Sequence, residues 1–224
     1  MTKPIINLDE LEFSSFGKGD KFQADRAPVA PLIGASHLGY AVIRLQPGKR
    51  AWPYHAHHAI EEMFYVLSGT GTLRHAGEEH PIRAGDFICS PADPGQPHQI
   101  INTSDEDLTY IALSEQLTTD VMLYPDSGKY GVWHGNWKYT FQPGGVDELY
   151  NLADDPHEED NLATDPQHHD VLIDMVKRMW RRMEEIGDES LLNTHYDTLR
   201  TAPIGPNSRV ENKGLRLSVP GRDP

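Results

Sequence analysis

Four side chains in the first half of the chain have the types and spacing of a metal site. His55 and His57 stand two residues apart in Tyr54–His58, a run that reads as a short strand. Strand side chains alternate between faces, so both imidazoles project to one side. After a short turn Glu62 opens the next β-rich run, with Phe64 and Val66 on its own face. His98 opens a further strand and shares its face with Ile100 and Asn102. If these strands close into one barrel, three nitrogens and one carboxylate converge on its interior. That donor set suits one divalent metal ion: iron, manganese, nickel, cobalt, copper or zinc. A single carboxylate cancels only part of the metal charge, which leaves the centre open to an anionic or enolisable oxygen group. An octahedral ion would keep positions for substrate, water or dioxygen, as Lewis-acid or redox chemistry requires.

The elements that must position these groups are short strands at near-even spacing. Leu38–Gln46 reads as a strand stopped by Pro47-Gly48, and Met63–Ser68 as one stopped by Gly69-Thr70-Gly71. Thr72–His75 and His80–Ile82 flank the hairpin signal Ala76-Gly77-Glu78-Glu79. Asp86–Cys89, His98–Asn102 and Leu108–Leu113 complete the series, each entered through a turn. This pattern predicts an all-β sandwich or barrel. The pattern then changes. Tyr130–Phe141 is aromatic and β-like, Glu148–Leu152 is a short strand, and Asp154–Pro166 is an acidic loop. Asp165-Pro166 opens a helix as N-cap and first helical residue. Its apolar stripe is Leu172, Met175, Val176, Met179, Met183 and Ile186, and Gly187 stops it. Packing against the barrel or a partner subunit is the expected role of that stripe.

Candidate pocket residues follow from the same alternation. Phe64, Val66 and Ile100 flank the ligands as core or pocket lining. Asn102 is expected to hold the barrel rather than touch metal. Gln96 lies on the loop before His98 and can hydrogen-bond a ligand, whereas Gln99 points away. Arg44 shares a face with Tyr40 and Val42. It would clamp a carboxylate if that face is internal, although an exposed Arg is the commoner outcome. His58 alternates outward, His75 and His80 flank a turn and are expected in solvent, and Cys89 is expected to be a small buried residue. No catalytic acid or base stands out.

Composition excludes several function classes. The 224 residues hold 20 Lys and Arg against 34 Asp and Glu, a net charge of −14. Such a chain has no positive surface for nucleic acid or anionic lipid, so neither is an expected partner. No apolar run is long enough to span a membrane. The start MTKPIINLDE has no apolar signal segment, and the single Cys89 forms no intrachain disulfide, so the expected location is cytoplasmic.

Two resemblances extend this reading. Gly48-x6-His55-Ala56-His57-x4-Glu62-x6-Gly69 resembles the first cupin motif, and Gly85-x5-Pro91…Gly95-x2-His98-x3-Asn102 resembles the second. The Gly48–His55 spacing is one residue longer than the motif's, and Pro91–Gly95 is two residues longer; both changes fall in loops. The resemblance implies a jelly-roll barrel over residues 1–127, with its motif core at about 38–114, a metal bound by His55, His57, Glu62 and His98, and a homodimer. It also implies an enzyme acting on a small oxygenated or anionic molecule by isomerase, dioxygenase or lyase-like chemistry. The alternative is a non-catalytic cupin that binds a small-molecule ligand as a sensor or partner module. The second resemblance, from Asn136-Trp137-Lys138-Tyr139 through Glu148–Ala163 to the helix, is to the C-terminal subdomain of sulfatases. It marks residues 128–190 as a strand-and-helix appendage and 191–224 as an extended tail. Sulfatase activity is not expected, because Cys89-Ser90-Pro91-Ala92-Asp93 has Asp where the nucleophile motif needs Arg.

Overall fold

The computed structural model describes residues 3–142 and 145–187. The predicted tail and the last residues of the appendage, 188–190, lie outside the described residues. The chain divides into two compact units. One runs to Leu117 and takes in Leu123–Asp126; the other comprises Thr118–Met122 and the residues from Ser127 on.

The first unit holds β1 (Ser14–Lys18), β2 (Phe22–Pro28), β3 (Leu38–Leu45), β4 (Ala56–His57), β5 (Glu62–Ser68), β6 (Thr70–His75), β7 (Glu78–Arg83), β8 (Phe87–Ser90), β9 (His98–Ile101) and β10 (Leu108–Glu115). Six strands form one sheet in the order β1-β2-β3-β10-β5-β8, and three form a second in the order β7-β6-β9. Neighbours pair antiparallel, and strands distant in sequence lie side by side, as in a jelly roll. Period-two alternation builds the core. Ala41, Ile43 and Leu45 of β3, Phe64 and Val66 of β5, Ile88 of β8 and Tyr110 of β10 meet Leu73 of β6, Ile82 of β7 and Ile100 of β9. The predicted barrel is therefore present, with a C-terminal helix after the strands.

Local details refine the predicted strands. β1 and β2 were not among them, because Ser14–Lys18 and Phe22–Pro28 are polar or broken by Pro and Gly. The predicted hairpin closes through two residues only, since His75 pairs with Glu78. Ala76 and Gly77 both have positive φ, 48° and 86°, the geometry whose twist suits a two-residue hairpin. Gly69 in the first motif has φ 82°, and a Cβ there would lie 2.4 Å from the Asp107 carbonyl oxygen. Only glycine fits that crossing.

β11 (Thr119–Tyr124) runs through the boundary between the units. The second unit then has β12 (Lys129–His134), β13 (Trp137–Phe141), β14 (Glu148–Asn151) and α1 (His169–Ile186). Tyr130–Phe141, read from sequence as one aromatic run, is a hairpin turned at Gly135, φ 59°. Asp165 caps the turn before α1 by accepting from the Gln167 amide at 2.9 Å, Pro166 follows it, and Gly187 ends the helix with φ 66°. Met175, Val176, Met179 and Met183 of the predicted stripe are buried, joined by Trp180, in a helix packed on β12 and β13. Trp180 meets Phe141 edge to face at 5.9 Å. No helix among the described residues is long and apolar enough to cross a membrane.

Candidate metal centre

Backbone pairing brings the four predicted ligands together. His55 forms an isolated antiparallel bridge with His98, and β4 carries His57 onward. Glu62 opens β5 opposite Ser90 of β8, just as Phe64 lies opposite the core residue Ile88. Directly opposed residues share a face, so Glu62 and Ser90 point to the interior with the apolar core. The result is a convergence on one carboxylate oxygen. Glu62 Oε2 lies 3.0 Å from His98 Nε2, 3.2 Å from His57 Nε2 and 4.0 Å from His55 Nε2. The ligand atoms of His55, Glu62 and His98 lie within 4.8 Å of one another; His57 joins through its contact to Glu62. The His55 ring is 4.9 Å from His57 and 4.5 Å from His98.

Electrostatics decide what this cluster can hold. The Pro53 carbonyl can only accept, so His55 Nδ1, 2.8 Å away, carries a proton. Burial, with the His98 and His57 rings beside it, lowers the His55 pKa to about 3. His55 is therefore neutral, and its Nε2 is a bare lone pair. Burial pushes the Glu62 carboxyl up, but the His57 and His98 imidazoles at its oxygen outweigh that and hold it well below the usual range, so it is ionised. An electron pair thus faces an anion in a buried space, an arrangement that calls for a cation between them. Ser90 Oγ contacts His98 Nδ1. That contact holds the His98 ring with Nε2 turned inward, 3.0 Å from Glu62 Oε2. Three imidazole nitrogens and one carboxylate fit a divalent transition ion, and the Pro53 and Ser90 contacts orient two of the ligands.

The other predicted pocket residues have different fates. Phe64, Val66 and Ile100 belong to the core, and Phe64 sets its ring 5.4 Å from His98. Asn102 is a buried structural tie. Its amide donates to the Leu45 and Glu106 carbonyls, and its oxygen accepts from Ser104. Gln96 donates to Asp93 at 3.0 Å, within its own loop. Arg44 lies on the face of β3 opposite Ala41, Ile43 and Leu45, with its guanidinium 4.3 Å over Phe13, so it does not clamp a ligand inside the barrel.

Several expectations fail for identifiable reasons. His58 is buried, not outward, because the strand ends at His57 and alternation ends with it. Gln99 is also buried, donating to the Trp52 carbonyl at 2.8 Å. Cys89 is exposed, because Ile88 and Ser90 take the inner positions of β8. His75 is half-buried and directly opposite His98, as Leu73 is opposite Ile100, so it shares the ligands' face. Burial lowers its pKa, as do His98 and His80. Ser90, His75 and the buried Tyr110, whose pKa burial and Glu62 raise, were missed from sequence. The strand read from sequence ended at Cys89, one residue short of Ser90, whereas β8 runs to Ser90.

Comparisons with known proteins agree with this architecture. A family model described as "Cupin domain" matches residues 41–114. An oxalate-binding protein from Thermotoga maritima is 36% identical over 97 residues, which cover 43% of this chain and 77% of that protein. A sugar phosphate isomerase of the cupin superfamily from Silicibacter pomeroyi aligns at 22% identity and TM-score 0.52, over 67% of this chain and 94% of that one. A putative sugar phosphate isomerase from Acidithiobacillus ferrooxidans is 32% identical at TM-score 0.48, covering 58% of this chain and 78% of that one. The matched residues hold all four converging side chains and strands β4 to β9, and with the 36%-identical relative they place the chain in the cupin superfamily.

Proposed function

We propose that His55, His57, Glu62 and His98 bind one divalent metal ion, and that through it the protein acts on a small oxygen-chelating anion of the dicarboxylate class. The observation that carries the reading is the neutral, bare His55 Nε2 facing an ionised Glu62 inside the barrel. A bound divalent ion would supply Lewis acidity toward carboxylate or carbonyl oxygens. The chain's own groups do the rest. Pro53 and Ser90 orient imidazoles, and Phe64 and Tyr110 exclude water from one side of the cluster. The 36%-identical relative named as oxalate-binding supports the substrate class.

That name also favours a second reading, reversible capture of the anion without turnover. Metal analysis of protein purified without added metal is expected to find one divalent ion per chain. Oxalate is expected to bind the loaded protein and not the metal-stripped one. Recovery of the bound anion unchanged would select capture; its conversion would select isomerase, dioxygenase or lyase-like chemistry. Equal oxalate binding with and without metal would overturn both. The proposal includes a homodimer, supported by Phe87, which is 76% exposed on the sheet-edge strand β8 with its ring 4.5 Å from that of Tyr65, tilted by 44°. Sedimentation as a monomer at micromolar concentration would refute it.

A further inference from the structure

Leu123–Asp126 belongs to the barrel unit, although the residues on both sides of it belong to the other. Its end is tied to the barrel by specific chemistry. The two Asp126 carboxylate oxygens accept from Arg74 Nη1 at 2.6 Å and Nη2 at 2.8 Å, a bidentate pair. The same guanidinium lies 3.7 Å over the ring of Tyr54. Tyr54 is buried, accepts from the Gly77 amide through its hydroxyl at 2.9 Å, and immediately precedes His55. Two residues before the tie, half-buried Tyr124 sets its ring 6.1 Å from that of His55, tilted by 34°. One short segment therefore carries an aromatic ring to the edge of the histidine cluster and is pinned there by a residue that also braces Tyr54, the neighbour of His55.

We propose that Leu123–Asp126 forms a fixed wall of the metal centre, and that Tyr124 is a specificity-determining side chain that limits the size of the carboxylate admitted beside His55. The inference rests on the metal and dicarboxylate reading above. A phenol ring has few rotatable bonds and a broad apolar body, so a pinned Tyr rejects bulk sterically at little entropic cost. The tie itself is largely in solvent, with the Asp126 side chain 56% exposed, so its contribution is to position the wall rather than to stabilise the fold.

The test uses the full chain loaded with cobalt(II), whose visible spectrum reports ligation, and compares calorimetric affinities for oxalate and for the bulkier phthalate. Tyr124→Ala is expected to keep one cobalt per chain and the wild-type spectrum, while the oxalate-to-phthalate affinity ratio falls by at least about tenfold. Tyr124→Phe should keep the wild-type ratio. Arg74→Gln, a change at the partly exposed tie, should shift the ratio in the same direction as Tyr124→Ala and serves as an independent variant if the latter folds poorly. Unchanged ratios in cobalt-loaded Tyr124→Ala and Arg74→Gln would overturn the wall alone. Wild-type protein that takes up neither cobalt nor oxalate would overturn the underlying metal reading, and the wall with it.

Discussion

His98 in the barrel and Met183 in the C-terminal helix are buried alike, at 2% and 0% exposure, yet the two interiors work differently. Around Met183 the buried side chains are apolar: Met175, Val176, Met179 and Trp180 lie on β12 and β13. That interior is stabilised by removing surface from water and by close contact. Around His98 the barrel encloses His55, His57, His58 and an ionised Glu62. Burying such groups opposes folding unless a charge partner or ligand repays it. The difference teaches where selection for binding has overridden selection for packing, and it can be tested from both sides.

The largest expected effect is on metal. His57→Ala should reduce bound metal from one ion per chain to a small fraction of that, while circular dichroism and the melting profile show a folded barrel. Stoichiometric metal in that variant would place the ion elsewhere. The matching change in the other interior, Met179→Ala, should cost about 2–5 kcal/mol of unfolding free energy by opening a cavity, and should leave metal content unchanged. Loss of metal with Met179 would erase the distinction between the two interiors.

Ser90→Ala sharpens the comparison within the site. Ser90 touches no metal but orients His98, and loss of such a support is expected to weaken metal affinity by about 10–100-fold, with stoichiometry at saturation retained. Competition with a chelator of known strength would read this. An affinity equal to wild type would mean that Phe64, 5.4 Å from the His98 ring, suffices to orient it.

The four converging residues were legible because each lies within one strand's alternation or a few residues from a turn: His55 and His57 are two apart, and Glu62 and His98 begin strands. Ser90 and His75 were not, because their facing depends on pairing with residues distant in the chain, Glu62 for one and His98 for the other. Tyr124 is hidden for the same reason, and its strand β11 gave no alternating signal. His58 misled because a two-residue strand cannot sustain a period. In the second unit the helix was legible from cap to Gly187, since helical contacts are local. Trp180 was left off the stripe, although it lies one turn after Val176 and buries against Phe141.

Acidification separates the interiors more gently. In metal-stripped protein His55 has a native pKa of about 3 against 6.5 when exposed. Between those values the unfolded chain binds more protons, so stability falls as pH falls from about 6.5 toward 3. The depressed Glu62 acts in the same direction at the acid end of that window. Urea midpoints of the stripped protein should therefore drop between pH 7.5 and 5, and added metal should restore part of the loss by competing with protons. A midpoint that is flat or rises on acidification would contradict a neutral, buried His55.

The smallest expected effect concerns a charge pair outside either interior. Arg178 Nε donates to Asp174 at 2.7 Å, one helical turn apart on α1, with both side chains partly in solvent. The acid lies N-terminal to the base, the favourable order on a helix, but solvent screens the pair and holding it costs side-chain entropy. Asp174→Asn should therefore lower stability by only about 0.3–0.5 kcal/mol, and added salt should shrink the difference further. Metal content should not change, because no described metal ligand touches this turn. Here charge is incidental to the fold, whereas the Glu62 charge is enclosed with the groups it must serve. A loss well above about 1 kcal/mol on removing Asp174 would show that surface charge helps hold the second unit together, and its stability could no longer be assigned to the packing of Met175, Met179 and Met183 alone.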